Sequence, residues 1–73
     1  MAQTAISVLD VVALLEDVPA QGLVRGQVGT VVERLDDETF EVEFSDDEGR
    51  RYAEVALPAE ALLLLHHRPV RAA

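Results

Sequence analysis

Hydrophobic and polar residues alternate most clearly in the middle of the chain, and this alternation predicts a strand. The residues concerned are Phe40, Glu41, Val42, Glu43 and Phe44. Successive side chains of a strand point to opposite faces, so the three apolar residues share one face and the two acids share the other. The pattern therefore predicts a sheet with one buried face and one solvated, acidic face.

Four other segments have the composition of short strands, rich in Val, Leu or Thr and bounded by turn residues. We expect five strands in all, over 10–16, 28–35, 39–44, 51–57 and 62–65. The first segment is apolar at most positions and too short for periodicity to separate a strand from a short helix, so a short helix stays open there. Pro58 begins a segment, 58–61, that is typical of a single helical turn.

Four glycines are expected to be structural: Gly22, Gly26, Gly29 and Gly49. The first three divide a long loop from the second strand, and the fourth ends an acidic hairpin turn. Glycine suits such positions because it adopts the positive φ values that other residues avoid. A phosphate-binding loop is excluded, since the chain has no Lys and the next element is a strand rather than a helix.

Five short strands, one long loop, tight hairpins and a helical turn before the last strand together predict the fold. We expect an all-β domain, a small five-stranded SH3-like barrel. The barrel is expected over 8–67, with flexible ends at 1–7 and 68–73. A chain of 73 residues has room for one such domain only.

The segment 10–33 resembles the signature of a small bacterial family of unknown function, which reads DVVALLEDLP-x-x-GLVRGQVGTVVE. The resemblance covers 8–66. It implies an SH3-like barrel related in shape to KOW-type domains. It also implies a small stand-alone protein often encoded beside a larger gene, with some members suspected to be partners of toxins. No catalytic or ligand residues are established for that family, so none are carried over.

The chain is acidic, with 14 Asp and Glu against six basic residues, all Arg, and a formal net charge of −8. Direct binding of nucleic acid is disfavoured because phosphates require a basic surface. A basic partner protein is favoured, although the charge could also serve solubility alone. The lack of Cys and of any signal or membrane-spanning segment indicates a cytoplasmic protein.

No set of residues has the spacing of a catalytic or metal site. The acidic turns at 36–38 and 46–48 are too short for a calcium loop, and His66 and His67 would point to opposite faces of a strand. No Ser, His and acid form a readable triad. We therefore expect no enzymatic activity and no cofactor.

Two runs, 11–15 and 62–65, are apolar at every position, so one face of each is expected to be exposed and to form an interface. The candidate partner-binding residues are Val12, Leu14, Leu63, Leu65, Glu41, Glu43, Asp46 and Asp47. Neighbours of these leucines and valines could face outward instead. The sequence thus predicts a protein-interaction module, with antitoxin, immunity or accessory roles implied by the resemblance. A structural homo-oligomer and an acidic mimic of nucleic acid remain alternatives.

Overall fold

A computed structural model describes residues 5–67, which form five strands and two short 3-10 turns. The strands are β1 (Val11–Leu14), β2 (Val28–Asp36), β3 (Thr39–Ser45), β4 (Arg51–Pro58) and β5 (Leu62–Leu64). The turns span Pro19–Gln21 and Ala59–Ala61, so the helical turn expected before the last strand is confirmed. The first apolar run is a strand and not a short helix.

All strand pairs are antiparallel, and the order across the sheet is β4-β3-β2-β1-β5. The long strand β2 pairs with β1 at its beginning and with β3 along most of its length. Two irregularities interrupt the β2–β3 register, and such bulges increase the local twist of a strand. The predicted all-β fold, a small five-stranded SH3-like barrel, is confirmed.

The core lies inside the barrel and consists of side chains from every strand. The apolar face predicted for β3 is confirmed, because Phe40, Val42 and Phe44 are all fully buried. Ile6 also packs in the core and is 7% exposed, although it comes from the segment expected to be a flexible end. The other buried apolar residues are Val12, Leu14, Leu23, Val31, Leu57, Ala61 and Leu62.

The expected C-terminal tail, 68–73, and residues 1–4 lie outside the described residues. Within 5–67, no helix has the length and apolar character needed to cross a membrane.

Candidate protein-interaction surface

Strand β1 turns Val11 and Ala13 outward and Val12 and Leu14 inward, a choice of face that its apolar sequence leaves open. Val12 is fully buried and Leu14 is 2% exposed, so these two candidate residues are turned away from any partner, and the alternative that their neighbours face outward is the one observed. Val12 and Leu14 face the core because Val12 lies opposite Gly29 in β2 and Leu64 in β5, on the inner side of the barrel. Alternation along the strand then directs the neighbouring residues, Val11 and Ala13, outward.

Three apolar side chains form a row across the outside of the barrel, which we call the apolar row. Ala13 in β1 lies opposite Val28 in β2 and opposite Leu63 in β5. Directly opposed residues share one face of a sheet and lie about 5 Å apart. Val28 is 47% exposed and Leu63 49% exposed, so the outward position expected for Leu63 agrees with the structure.

Leu65 extends this apolar surface beyond the end of β5. Its backbone N–H donates a hydrogen bond to the carbonyl of Val11, with a nitrogen–oxygen distance of 3.0 Å. The side chain of Leu65 is half-buried rather than fully exposed. Val11 lies opposite Thr30 in β2, so the apolar surface reaches the middle of the sheet.

Four glutamates from three strands form a second feature on the outside of the barrel, which we call the acidic cluster. Its members are Glu33, Glu41, Glu43 and Glu54. Glu33 lies opposite Glu41, and Glu43 lies opposite Glu54. Like charges directly opposed across strands repel one another.

Arg51 partly neutralises the acidic cluster. Its Nη1 lies 2.7 Å from Oε1 of Glu54 and 3.2 Å from Oε2 of Glu43. The alternation alone suggested that the acidic face of β3 is fully solvated. The side chain of Glu43 is only 33% exposed, so this face is solvated only in part. One guanidinium therefore serves two of the four carboxylates.

Glu41 has an altered affinity for protons because of its neighbours. A hydrogen bond with the side chain of Glu54 is the main cause that raises the pKa of Glu41 above its ordinary value. Desolvation and repulsion from Glu54 and Glu33 act in the same direction. The negative charges around Glu41 therefore destabilise the folded state when Glu41 is ionised.

The hairpin between β3 and β4 uses its acids mainly to build the turn. One oxygen of Asp46, Oδ1, accepts hydrogen bonds of 2.9 Å from the backbone N–H groups of Glu48 and Arg50. The other oxygen, Oδ2, lies 3.4 Å from Nε of Arg50. Asp46 is thus engaged within its own turn, whereas Asp47 is exposed and offers its charge to the solvent.

A family model described as a domain of unknown function, DUF4926, matches residues 8–64. The chain belongs to this family. The matched region runs from just before β1 to the end of β5, so it contains both the apolar row and the acidic cluster. No curated protein and no solved structure matches the chain.

Sequence reasoning did not select three residues that this DUF4926 domain brings into the candidate surface, Val28, Glu33 and Glu54, and it left Ala13 open only as a neighbour of Val12 and Leu14. Val28 and Thr30 share a face in β2, as do Glu54 and Ala56 in β4, and such alternation is visible in the sequence. What the sequence lacks is the register that places those faces side by side. Glu33 becomes a neighbour of Glu41 only because of the irregularity after Val31.

The DUF4926 domain holds no group of three or more His, Cys, Asp or Glu side chains suited to a metal ion within the described residues. His66 and His67 are both exposed at the end of β5. The expectations of no catalytic activity and no cofactor stay predictions.

Replacing Glu41 by glutamine is expected to stabilise the domain at pH 7. A carboxyl group whose pKa is raised by folding disfavours the folded state when it is ionised, at pH values above its folded pKa. The gain should shrink as the pH falls through the raised folded pKa and disappear below the ordinary value of 4.5, where the group is protonated in both states. Urea unfolding of both proteins between pH 4 and pH 7 measures this, and a gain that does not change with pH would contradict it.

Proposed function

We propose that this chain is a non-catalytic protein-interaction module that binds a larger, partly basic protein through the outside of its barrel. The observation that carries the proposal is that the apolar surface and the acidic cluster lie on either side of Thr30, on the same outer face of the barrel. Thr30 lies opposite Val11 on one side and opposite Glu43 on the other. Specific interfaces combine an apolar centre with a polar rim, and this surface offers both.

The apolar row supports the central part of such an interface. Val28 and Leu63 are each about half exposed and are joined by Ala13 into a continuous apolar strip. A contiguous exposed apolar patch marks an interaction surface more often than scattered apolar residues do. Burying such side chains contributes affinity that salt does not screen.

The negative charge supports the choice of a basic partner. The chain carries a formal net charge of −8, and the acidic cluster and Asp47 lie on its surface. A negative field accelerates encounter with a positively charged protein and disfavours other acidic proteins. The charge should therefore affect the rate of association, and the apolar row the lifetime of the complex.

The proposed role is that of an antitoxin, an immunity protein or an accessory subunit in the cytoplasm. This part rests on the resemblance to a family of small stand-alone proteins often encoded beside a larger gene. It also agrees with the absence of Cys from the sequence. The partner in this proposal is a protein, and neither nucleic acid nor a membrane is bound directly.

A homo-oligomer is the second candidate, and the apolar row is the observation that favours it. Two copies could bury their apolar rows against each other, which would stabilise a small domain. The charge of −8 on each copy opposes this association. Sedimentation over a dilution series separates the candidates, since a tight dimer would favour the oligomer and a persistent monomer would exclude it.

Replacing Leu63 by glutamine is expected to weaken partner binding by about tenfold, because an interface contact loses its apolar side chain and gains a polar one. The measurement is capture from an extract of the native source at low and high salt, with mass spectrometry of the retained proteins. Leu35→Gln is the matched control, since Leu35 is 45% exposed and lies at the far end of β2.

The proposal expects one larger protein to be retained at high salt by the native chain and by the Leu35 variant, and to be reduced for the Leu63 variant. Equal capture by both variants would show that the apolar row is not the contact. Failure of the native chain to retain any protein, together with a monomer in sedimentation, would remove both candidate functions.

A further inference from the structure

Strand β4 is the longer of the two edge strands of the sheet. Within residues 5–67 it pairs only with β3, whereas the other edge strand, β5, has three residues. β4 has eight residues, long enough to pair with a further strand along most of its length. Unpaired backbone groups on a long edge strand are a template for strand addition.

The register shows which backbone groups of β4 face outward. The N–H of Ala59 donates to the carbonyl of Glu38 at 2.7 Å, which continues the β3–β4 ladder by one pair. Antiparallel pairs alternate between bonded and non-bonded. The backbone N–H and C=O groups of Leu57 and Val55 therefore form hydrogen bonds with β3. The N–H and C=O groups of Glu54 and Ala56 point away from β3.

Pro58 fits the same alternation. It lies at an outward position, where its missing N–H removes no bond to β3, as is usual for proline in an edge strand. The outward groups of Glu54 and Ala56 thus form a binding edge that ends at Pro58.

The side chains along β4 determine which strand would fit beside it. On the outer face, Glu54 belongs to the acidic cluster, in which Arg51 is the single neutralising arginine among residues 5–67. On the inner face, Ala53 and Val55 pack against the core but remain partly exposed. A complementary strand would present cationic side chains outside and small apolar side chains inside.

We propose that the free edge of β4 binds an extended segment of the partner protein in which cationic and small apolar residues alternate. This inference rests on the proposed function, because it specifies how part of the partner is bound. Backbone hydrogen bonds to Glu54 and Ala56 supply affinity, and the alternation supplies specificity. The side chain opposite Glu54 is cationic and relieves the repulsion within the acidic cluster.

A second copy of this chain is a poor occupant of the edge. Antiparallel pairing of two β4 strands about Glu54 or Val55 brings the two acidic clusters next to each other, and like charges across strands destabilise the pairing. The charge of the surface thus selects a basic segment over self-association.

The first test uses a synthetic nine-residue peptide in which Arg and Val alternate, with both ends blocked. Its binding to the full chain labelled with ¹⁵N is followed by NMR. When the peptide pairs antiparallel to β4, as every strand pair of this sheet does, the residue opposite Glu54 or Ala56 shares the outer face and bonds to it, so the backbone of the Arg residues faces β4. N-methylation of the Arg residues should therefore weaken binding about tenfold or more, while N-methylation of the Val residues should leave it nearly unchanged.

The expected result includes slowed amide exchange at Glu54 and Ala56 when the unmodified peptide is bound. Equal binding of the two N-methylated peptides would mean that only charge attraction acts, and would overturn the proposal. Absence of binding by the unmodified peptide at millimolar concentration would overturn it as well.

The second test changes the chain. Ala56→Pro removes one outward N–H and should abolish peptide binding, while the matched variant Ala56→Val should retain it. If the proline variant does not fold, Glu54→Lys is the deciding variant. It should no longer bind the Arg–Val peptide and should bind a peptide of the same length in which Glu and Val alternate. A folded proline variant that binds normally would contradict the proposal, as would an unchanged preference in the lysine variant.

These tests separate this inference from the proposed function. If Leu63→Gln reduces partner capture but the peptides do not bind at β4, the proposal of strand addition at β4 is contradicted, while the proposed function as an interaction module is supported. If the peptides bind as expected but no partner is captured, strand addition at β4 is supported, while the proposed complex with a larger protein is contradicted.

Discussion

Replacing Gly29 by alanine is expected to destabilise the domain by about 3 kcal/mol, in the upper part of the range for overpacked sites. An added Cβ would lie 2.7 Å from Cγ1 of Val42, 2.9 Å from the carbonyl oxygen of Glu43 and 2.9 Å from Cδ2 of Phe44. Val42 and Phe44 are fully buried, so neither side chain can move aside without disturbing the core. The methyl group therefore forces β2 away from β3.

Urea unfolding of the native and variant proteins measures this loss. Gly26→Ala is the matched control, because Gly26 has a φ of +94° and an added Cβ would meet no atom of residues 5–67 within 4 Å. That variant should lose about 1–2 kcal/mol through backbone strain alone. A Gly29 variant as stable as the Gly26 variant would show that β2 and β3 do not approach each other so closely.

The glycines illustrate what their spacing in the sequence can predict. A positive φ is confirmed at Gly22, Gly26 and Gly49, where turn formation is a local property. Gly29 is structural for a different reason, the close approach of Val42 and Phe44 from the neighbouring strand. Such a contact joins residues more than a dozen positions apart, and no local pattern reveals it.

The faces of the strands show the same division between local and distant information. Strand β3 alternates apolar and acidic residues, so its buried face was predictable from Phe40, Val42 and Phe44. Strand β1 is apolar at every position, and its pattern is compatible with either orientation. Pairing with Gly29 and with β5 places Val12 and Leu14 inside the barrel. This pairing cannot be predicted from the sequence of the apolar run alone.

The acidic cluster depends on register in a similar way. The acidic outer face of β3 was predictable, but its opposition to Glu33 and Glu54 follows from pairing and from an irregularity in β2. A shift of one residue would send either side chain to the other face. Composition predicts an acidic surface, whereas only the paired strands reveal where the repulsion is concentrated.

Leu23→Ala is expected to cost about 3 kcal/mol, because Leu23 is a core residue although it lies in a segment expected to be a loop. It is 2% exposed and belongs to the same buried cluster as the strands. Two backbone hydrogen bonds join it to Val18, with nitrogen–oxygen distances of 2.9 and 3.1 Å. Truncating a buried leucine removes its transfer free energy and leaves a cavity that the surroundings fill only in part.

The adjacent residue provides the control, since Val24 is 56% exposed and Val24→Ala should change stability by no more than about 0.5 kcal/mol. Urea unfolding gives both values, and amide exchange at Val18 and Leu23 tests the loop itself. If the loop is part of the cooperative core, those amides exchange only through global unfolding in the native protein and exchange faster in the Leu23 variant. Equal effects of the two substitutions would mean that the loop packs on the barrel without contributing to its core.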